Sequence, residues 1–70
     1  MEFYYLIDEE TNELIADIVK FENEHFVGYF HKFKILQEFI DIFDFYDYMK
    51  NSKDLDGLKW KLIYEEIIEQ

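Results

Sequence analysis

The feature that most constrains the fold is a pair of apolar runs, residues 2–7 and 14–21, separated by a short polar segment. Both runs are rich in aromatic and β-branched residues, a composition that favours β-strands. The segment between them, residues 8–13, is polar, and its Asn12 suits a left-handed position in a turn. Two such runs around a short loop predict a β-hairpin.

The pattern within these strands indicates that both faces of the sheet are partly covered. In the first run, apolar side chains occupy both alternating sets: Phe3, Tyr5 and Ile7 on one side, Tyr4 and Leu6 on the other. A sheet with one wet face would instead alternate apolar and polar residues. A single helical layer covers one face, so the other needs a second helix or a second molecule. Because contiguous exposed apolar surface usually marks an interface, we expect such an interface here.

The rest of the chain predicts a third strand followed by one or two helices. After a polar break at residues 22–24, residues 25–33 predict a strand, since Gly28 disfavours the alternative of an early helix. Residues 34–50 predict a helix with one broad apolar face opposite a polar one. Residues 58–68 fit a strand by their alternation or a helix by a shared apolar face, and their acidic ending favours the helix.

Together these elements predict a single acidic α+β domain over residues 1–70. Its expected core is a small antiparallel three-stranded sheet, a β-meander, packed by one or two C-terminal helices. Half of the residues are hydrophobic and 21% are aromatic, which excludes a disordered chain. The chain has no cysteine, so dense aromatic packing or self-association must replace disulfides. With neither a signal-peptide pattern nor about 20 consecutive apolar residues, the sequence predicts a cytoplasmic protein without a membrane partner.

The charge balance restricts the class of partner. Seventeen acidic residues against seven basic ones give a net charge of −10, and all seven basic residues are lysines. Direct nucleic-acid binding is therefore not expected, because neutralising phosphate requires clustered Lys and Arg. Residues 25–37 lack acids and mix aromatics with lysines, but the surrounding negative field opposes phosphate. A basic protein surface would be attracted instead, although the same charge could serve solubility alone.

Hydroxyl nucleophiles are scarce, which argues against covalent catalysis. Besides tyrosine, the candidates are Ser52 and Thr11, and neither has a histidine beside it in sequence. Covalent catalysis needs a nucleophile next to an oriented base. Helix capping is the better role for Ser52, so we expect no catalytic residue and no enzyme activity.

Metal and cofactor motifs are equally weak. His25 and His31 are six residues apart and lack the spacing of a zinc-protease helix. Residues 52–57 match a calcium loop only in part, because its twelfth position falls on Ile63 where a glutamate is required. Two glycines cannot build a glycine-rich phosphate loop. We therefore expect no metal and no cofactor.

The most specific polar feature is a series of acids spaced three residues apart. On the predicted helix 34–50, this spacing would place neighbouring carboxylates in one row, with β-carbons about 5–6 Å apart. Such a row could imitate a nucleic-acid backbone, and the acids of the hairpin turn could extend it. The alternative is the ordinary wet face of an amphipathic helix. The candidate partner-binding residues are Glu38, Asp41, Asp44 and Asp47 on the helix and Asp8, Glu9, Glu10 and Glu13 in the turn.

These observations predict an acidic inhibitor or regulator that blocks a basic nucleic-acid-binding site on another protein by imitating nucleic-acid charge. The lack of arginine and proline, with abundant Phe, Ile, Tyr, Asn and Lys, is typical of AT-rich coding sequences. It is compatible with a phage-encoded anti-defence protein, such as an anti-CRISPR or anti-restriction factor. The alternative is a non-catalytic adaptor or homodimeric structural module that uses an apolar sheet face.

Overall fold

The computed structural model describes residues 1–65, which form five strands and one helix. In chain order these are β1 (Glu2–Asp8), β2 (Leu14–Lys20), β3 (Phe26–Phe30), β4 (Ile35–Phe39), α1 (Ile42–Asn51) and β5 (Trp60–Glu65). The strands make one antiparallel sheet in the order β4-β3-β2-β1-β5. Strands β1 to β4 therefore follow one another as a meander, and β5 returns after the helix to pair with β1.

The predicted three-stranded sheet is wrong, because the structure adds β4 and β5 at its two lateral edges. The hairpin of β1 and β2 and the strand within residues 25–33 are present as expected. Each of the three turns that join β1 to β4 contains one non-glycine residue with positive φ, namely Asn12, Glu24 and Lys34. Of these, the sequence indicated only Asn12, since Asn tolerates the left-handed region better than Glu or Lys does.

The helix predicted over residues 34–50 is wrong in its first part. Lys34 has φ 56°, and this left-handed turn residue sends the chain back along β3 as strand β4. The helix begins only at Ile42, after Asp41 with φ −160° and ψ −179°. The Asp41 side chain accepts a hydrogen bond of 2.8 Å from the Asp44 backbone N–H, a typical N-cap. A strand and a capped helix thus share the span that the apolar spacing assigned to one helix.

The helix preferred for residues 58–68 is also wrong, since residues 60–65 form β5. The alternation of Trp60, Leu62 and Tyr64 correctly indicated a strand, because these residues pair with Asp8, Leu6 and Tyr4 of β1. The remaining residues of that prediction after Glu65 lie outside the described part of the chain.

The core lies between α1 and one face of the sheet. Its buried apolar side chains are Leu6, Ala16, Ile18, Phe26, Phe30, Phe39, Phe45, Met49 and Leu55. Phe45 and Met49 are the buried residues of α1, and Phe45 meets Phe39 and Trp60 edge-on with centroids 5.2 and 5.4 Å apart. Edge-to-face aromatic pairs add specific geometry to apolar burial. Dense aromatic packing is therefore how this short chain builds a core without disulfides.

Within the described residues, no helix is long and apolar enough to span a membrane. The helix α1 has ten residues, about half the length that a bilayer core requires.

Candidate protein interface on the open sheet face

The face of the sheet that points away from α1 carries side chains from all five strands. We call it the open face, since no described element lies over it. Its residues alternate with the buried ones along each strand, as the pleat requires. They are Phe3, Tyr5 and Ile7 of β1, Asp17 and Val19 of β2, Val27 and Tyr29 of β3, Leu36 and Glu38 of β4, and Lys61, Ile63 and Glu65 of β5.

Strand register orders these side chains into rows that cross the sheet. The central row runs Ile63, Tyr5, Asp17, Tyr29, Leu36. One carboxylate, that of Asp17, therefore stands between two tyrosines and two aliphatic residues. Directly opposed side chains on one face have β-carbons about 4.5–5.5 Å apart, so the row is a continuous, mostly apolar stripe.

A second row runs parallel to the first and ends in an acid on each side. It consists of Glu65, Phe3, Val19, Val27 and Glu38. Its two carboxylates lie on the lateral strands β5 and β4, about 19 Å apart from four strand spacings. The open face is thus mostly apolar apart from Asp17 at its centre, and each lateral strand carries an acid, with Lys61 also on β5. Apolar area surrounded by polar and charged groups is common in interfaces.

Polar contacts fix the orientation of several side chains on this face. Asp17 Oδ2 lies 2.8 Å from His31 Nε2, and the His31 ring meets Tyr29 edge-on at 5.0 Å. A hydrogen bond to Glu65 raises the pKa of the Tyr5 phenol, with burial as a smaller cause. Because these groups are held by their neighbours, less side-chain entropy is lost when a partner binds.

The four acids predicted to form a helical row have different positions and roles. Glu38 lies on β4 and belongs to the open face, so the row as predicted on one helix is wrong. Asp41 is the N-cap of α1, and Asp44 Oδ2 accepts a 3.1 Å hydrogen bond from the Ile40 backbone N–H. Asp47 is exposed on α1. The carboxylates of Asp41 and Asp44 therefore cap the N-terminal end of the helix.

The hairpin acids lie together at the other end of the sheet and do not extend that group. Asp8 ends β1, where it pairs with Trp60 and its side chain accepts from the Glu10 N–H at 2.9 Å. The other three follow it in the β1–β2 connection. Glu38, by contrast, is near the end at which Glu2 and Lys20 pair. Glu9, Glu10 and Glu13 are exposed, and Glu10 lies 3.9 Å from Lys59. The eight candidate acids thus form two separated groups.

The hydroxyl and imidazole candidates lie in separate parts of the structure. Thr11 is in the β1–β2 turn, where its hydroxyl accepts from the Glu13 N–H, and Ser52 is the C-cap of α1. His25 and His31 lie at opposite ends of β3. Among residues 1–65, no three potential metal-ligating side chains come together.

The sequence placed Phe3, Tyr5 and Ile7 of β1 together on one side of the sheet, but it did not assign the open-face residues of β3, β4 and β5 to that side. The signal for an apolar face was present, since both alternating sets of β1 are apolar. The sequence pattern did not predict the number of strands. It therefore did not predict the width of the face or which strands form its lateral margins.

Comparison of the chain with protein-family models, curated proteins and solved structures gave no match.

Proposed function

We propose that this protein is a non-catalytic inhibitor or regulator that binds a basic surface of another protein through the open face. The supporting observation is an apolar, tyrosine-containing sheet face with no described element over it, in a chain of net charge −10. Tyr and other aromatic residues are enriched among the residues that dominate binding energy. The surface covered on the partner would be its nucleic-acid-binding site, because clustered lysine and arginine attract both an acidic protein and nucleic-acid phosphates.

The size of the open face favours a partner that also contacts its acidic margins. Five strands about 4.8 Å apart, each about 20 Å long, give a face of roughly 400 Å². A standard interface buries about 800 Å² on each partner. A target therefore has to cover the whole face, including Glu38 and Glu65 on its lateral strands, and to reach beyond it, for example onto the acids of the β1–β2 turn.

The acids contribute as separate groups and as a long-range field. Because they occupy opposite ends of the sheet, no single row can follow a phosphate backbone. Their summed charge speeds encounter with a cationic target and weakens as salt is added. The apolar rows then supply contacts that salt does not screen.

The same face supports a second candidate function, self-association as a homodimeric or adaptor module. Two copies stacked through it would bury roughly 800 Å² in total, at the upper limit of a typical crystal-packing contact. They would also bring two charges of −10 together. Both considerations favour the cationic partner over a second copy.

The proposal is tested by capture from a cytosolic extract at low and high salt with matched variants. The variant Tyr5→Ser/Tyr29→Ser removes both tyrosines of the central row. The control Tyr64→Ser makes the same change on the opposite side of the sheet, where Tyr64 is exposed and pairs with Tyr4. We expect the wild type and the control to retain a basic protein at low salt, and the double variant to lose it while remaining folded.

Equal capture by all three proteins would overturn the open face as the binding surface. Sedimentation of the purified chain distinguishes the second candidate: a dimer that persists at high salt and dissociates on Tyr5→Ser/Tyr29→Ser would support self-association instead. The cytoplasm is the proposed compartment, supported by the absence of cysteine.

A further inference from the structure

Strand β4 is a lateral edge of the sheet that contains no lysine, proline or bulge, and its one charged residue is Glu38. Among residues 1–65 it pairs with β3 alone, so one side of its backbone has no strand partner. The Glu38 C=O accepts a hydrogen bond of 3.2 Å from the Gln37 side chain. Natural edge strands are commonly interrupted by lysine, proline or a bulge. The sequence Ile35–Phe39 contains neither residue, and its register with β3 is continuous. The other edge strand, β5, carries Lys61.

Apart from Met1, the most exposed apolar side chains among the described residues lie on this edge strand or follow it in the chain. Leu36 is 69% exposed, Ile40 66% and Phe43 72%. They belong to β4, to the connection after it and to the first turn of α1. Leu36 therefore exposes an apolar side chain at the β4 edge itself, and Ile40 and Phe43 continue the apolar exposure along the chain into α1.

A groove of about 400 Å³ adjoins the same edge on the helix side of the sheet. Its β4 wall includes Gln37 and Phe39, and its α1 wall includes Tyr48 and the carboxylates of Asp44 and Asp47. Asp47 has no ion-pair partner among the described residues. The groove therefore combines an aromatic surface with two acids beside an open strand edge.

From this arrangement we infer that the partner contributes an extended segment of alternating apolar and basic residues, which pairs with β4 as a sixth strand. Alternate side chains of an added strand point to opposite faces. The apolar set would continue the open face beyond Leu36, and the basic set would point towards Asp44 and Asp47. This inference rests on the proposed function, because it specifies the form in which the basic partner binds.

The charge of the groove selects this occupant over a second copy of the chain. Joining two copies through β4 would bring Asp44 and Asp47 of both molecules to one edge, and β4 has no lysine to offset them. A cationic strand gains the attraction that a second copy loses. Main-chain hydrogen bonds would supply affinity, and the alternate side chains would supply specificity.

The test is a titration of the full chain with a short capped peptide in which valine and lysine alternate, monitored by amide hydrogen exchange. We expect exchange to slow at β4 amides. The variant Leu36→Lys should weaken binding about tenfold, since it removes an apolar contact worth about that factor. Asp47→Asn should weaken it about two- to fivefold, the range for an exposed ion pair. The control Tyr64→Lys introduces the same charge at an exposed residue of β5, on the opposite side of the sheet, and should leave the affinity nearly unchanged.

Two peptide controls separate strand addition from charge attraction. Replacing lysine by glutamate should abolish binding, and N-methylation of alternate amides should abolish it while keeping every charge. Undiminished binding of the N-methylated peptide, unchanged exchange in β4, or no binding of the valine–lysine peptide would overturn the inference. If the peptide test fails but capture from extract still requires the central-row tyrosines, the proposed function stands. If the peptide protects β4 but capture does not require these tyrosines, only the assignment of binding to the open face is rejected.

Discussion

The close packing around Gly28 allows a mutational test of which face of the sheet packs against the helix. A β-carbon added at this position would lie 2.7 Å from Ile18 Cδ1 and 3.1 Å from Phe30 Cε2. Ile18 and Phe30 are 1% and 0% exposed, so both side chains would have to shift within the core to admit the new methyl group. The variant Gly28→Ala therefore forces the core to rearrange.

The magnitude follows from two opposed terms. Overpacking a core by one methyl group costs about 1–3 kcal/mol, while replacing glycine in a strand recovers about 0.5–1 kcal/mol. The expected net loss is about 1–2 kcal/mol in the free energy of unfolding. For a domain of 70 residues, that lowers Tm by roughly 7–14 °C.

The assay is denaturant and thermal unfolding of four proteins in a double-mutant cycle. Ile18→Val removes the Cδ1 atom that the new methyl group would meet, and alone costs about 1 kcal/mol. In the Gly28→Ala background that cost should fall by at least 0.5 kcal/mol, about the smallest coupling typical of contacting residues. Val27→Thr, on the open face next to Gly28, should change stability by no more than about 0.5 kcal/mol. Additive effects, or a Gly28→Ala protein as stable as the wild type, would refute the described packing.

Three further outcomes follow from local structure. The Tyr4 hydroxyl donates to Glu2 Oε2 at 2.6 Å, and this hydrogen bond is the largest cause that raises the Tyr4 pKa from 10.0 to about 12. The stability that the bond contributes should be present below pH 10 and lost as the pH rises through 12. Phenolate titration should show a lower Tyr4 pKa in Glu2→Gln. Asp41→Ala should lower the free energy of unfolding by about 1 kcal/mol through loss of the N-cap, whereas Asp47→Asn, on the exposed side of α1, should lie within about 0.5 kcal/mol of the wild type in the same denaturant experiment. Lys34→Gly should raise the unfolding midpoint slightly, because φ 56° at Lys34 strains a side-chain-bearing residue but not glycine.

The first half of the fold was predictable from sequence because its signals are local. The apolar runs of β1 and β2 and the polar segment around Asn12 state the hairpin directly. Strand β3 was preferred over a helix because of Gly28, and the structure adds a steric reason for that glycine in its contact distance to Ile18.

Strand β4 was concealed by a coincidence of spacing. Leu36, Phe39, Ile40 and Phe43 recur at three- and four-residue intervals, which is the period of an amphipathic helix. Three of these four are highly exposed in the structure, so the interval does not describe one buried face. The features that interrupt the helix are a lysine with positive φ and an aspartate whose side chain caps the next turn, and neither residue type by itself marks a boundary.

The candidate site was predictable in its chemistry but not in its location. The two alternating apolar sets of β1 lie on the two faces of the sheet, one packed against α1 and the other without a described element over it, and the expected interface on the second face stays a prediction. The acids were assigned to one row because a continuous helix was assumed. In the structure β4 and α1 are distinct elements, so Glu38 lies on a strand and Asp47 on a helix. The groove between those elements is a consequence of tertiary packing.

Glu38 and Glu65 lie at the margins of the open face, and this position gives them a different kinetic effect on binding from that of the central-row tyrosines. Carboxylates at the margins act over distances comparable to the Debye length, so changing them alters mainly the association rate and its salt dependence. The side chains of the central row act only at contact, so truncating Tyr5 or Tyr29 should alter mainly the dissociation rate. Once the partner is in hand, Glu38→Gln should therefore slow association at low salt with little effect at high salt, whereas Tyr29→Ser should speed dissociation at both. If Glu38→Gln instead speeds dissociation at high salt, that carboxylate is a desolvated contact, and the binding surface extends across the β4 edge.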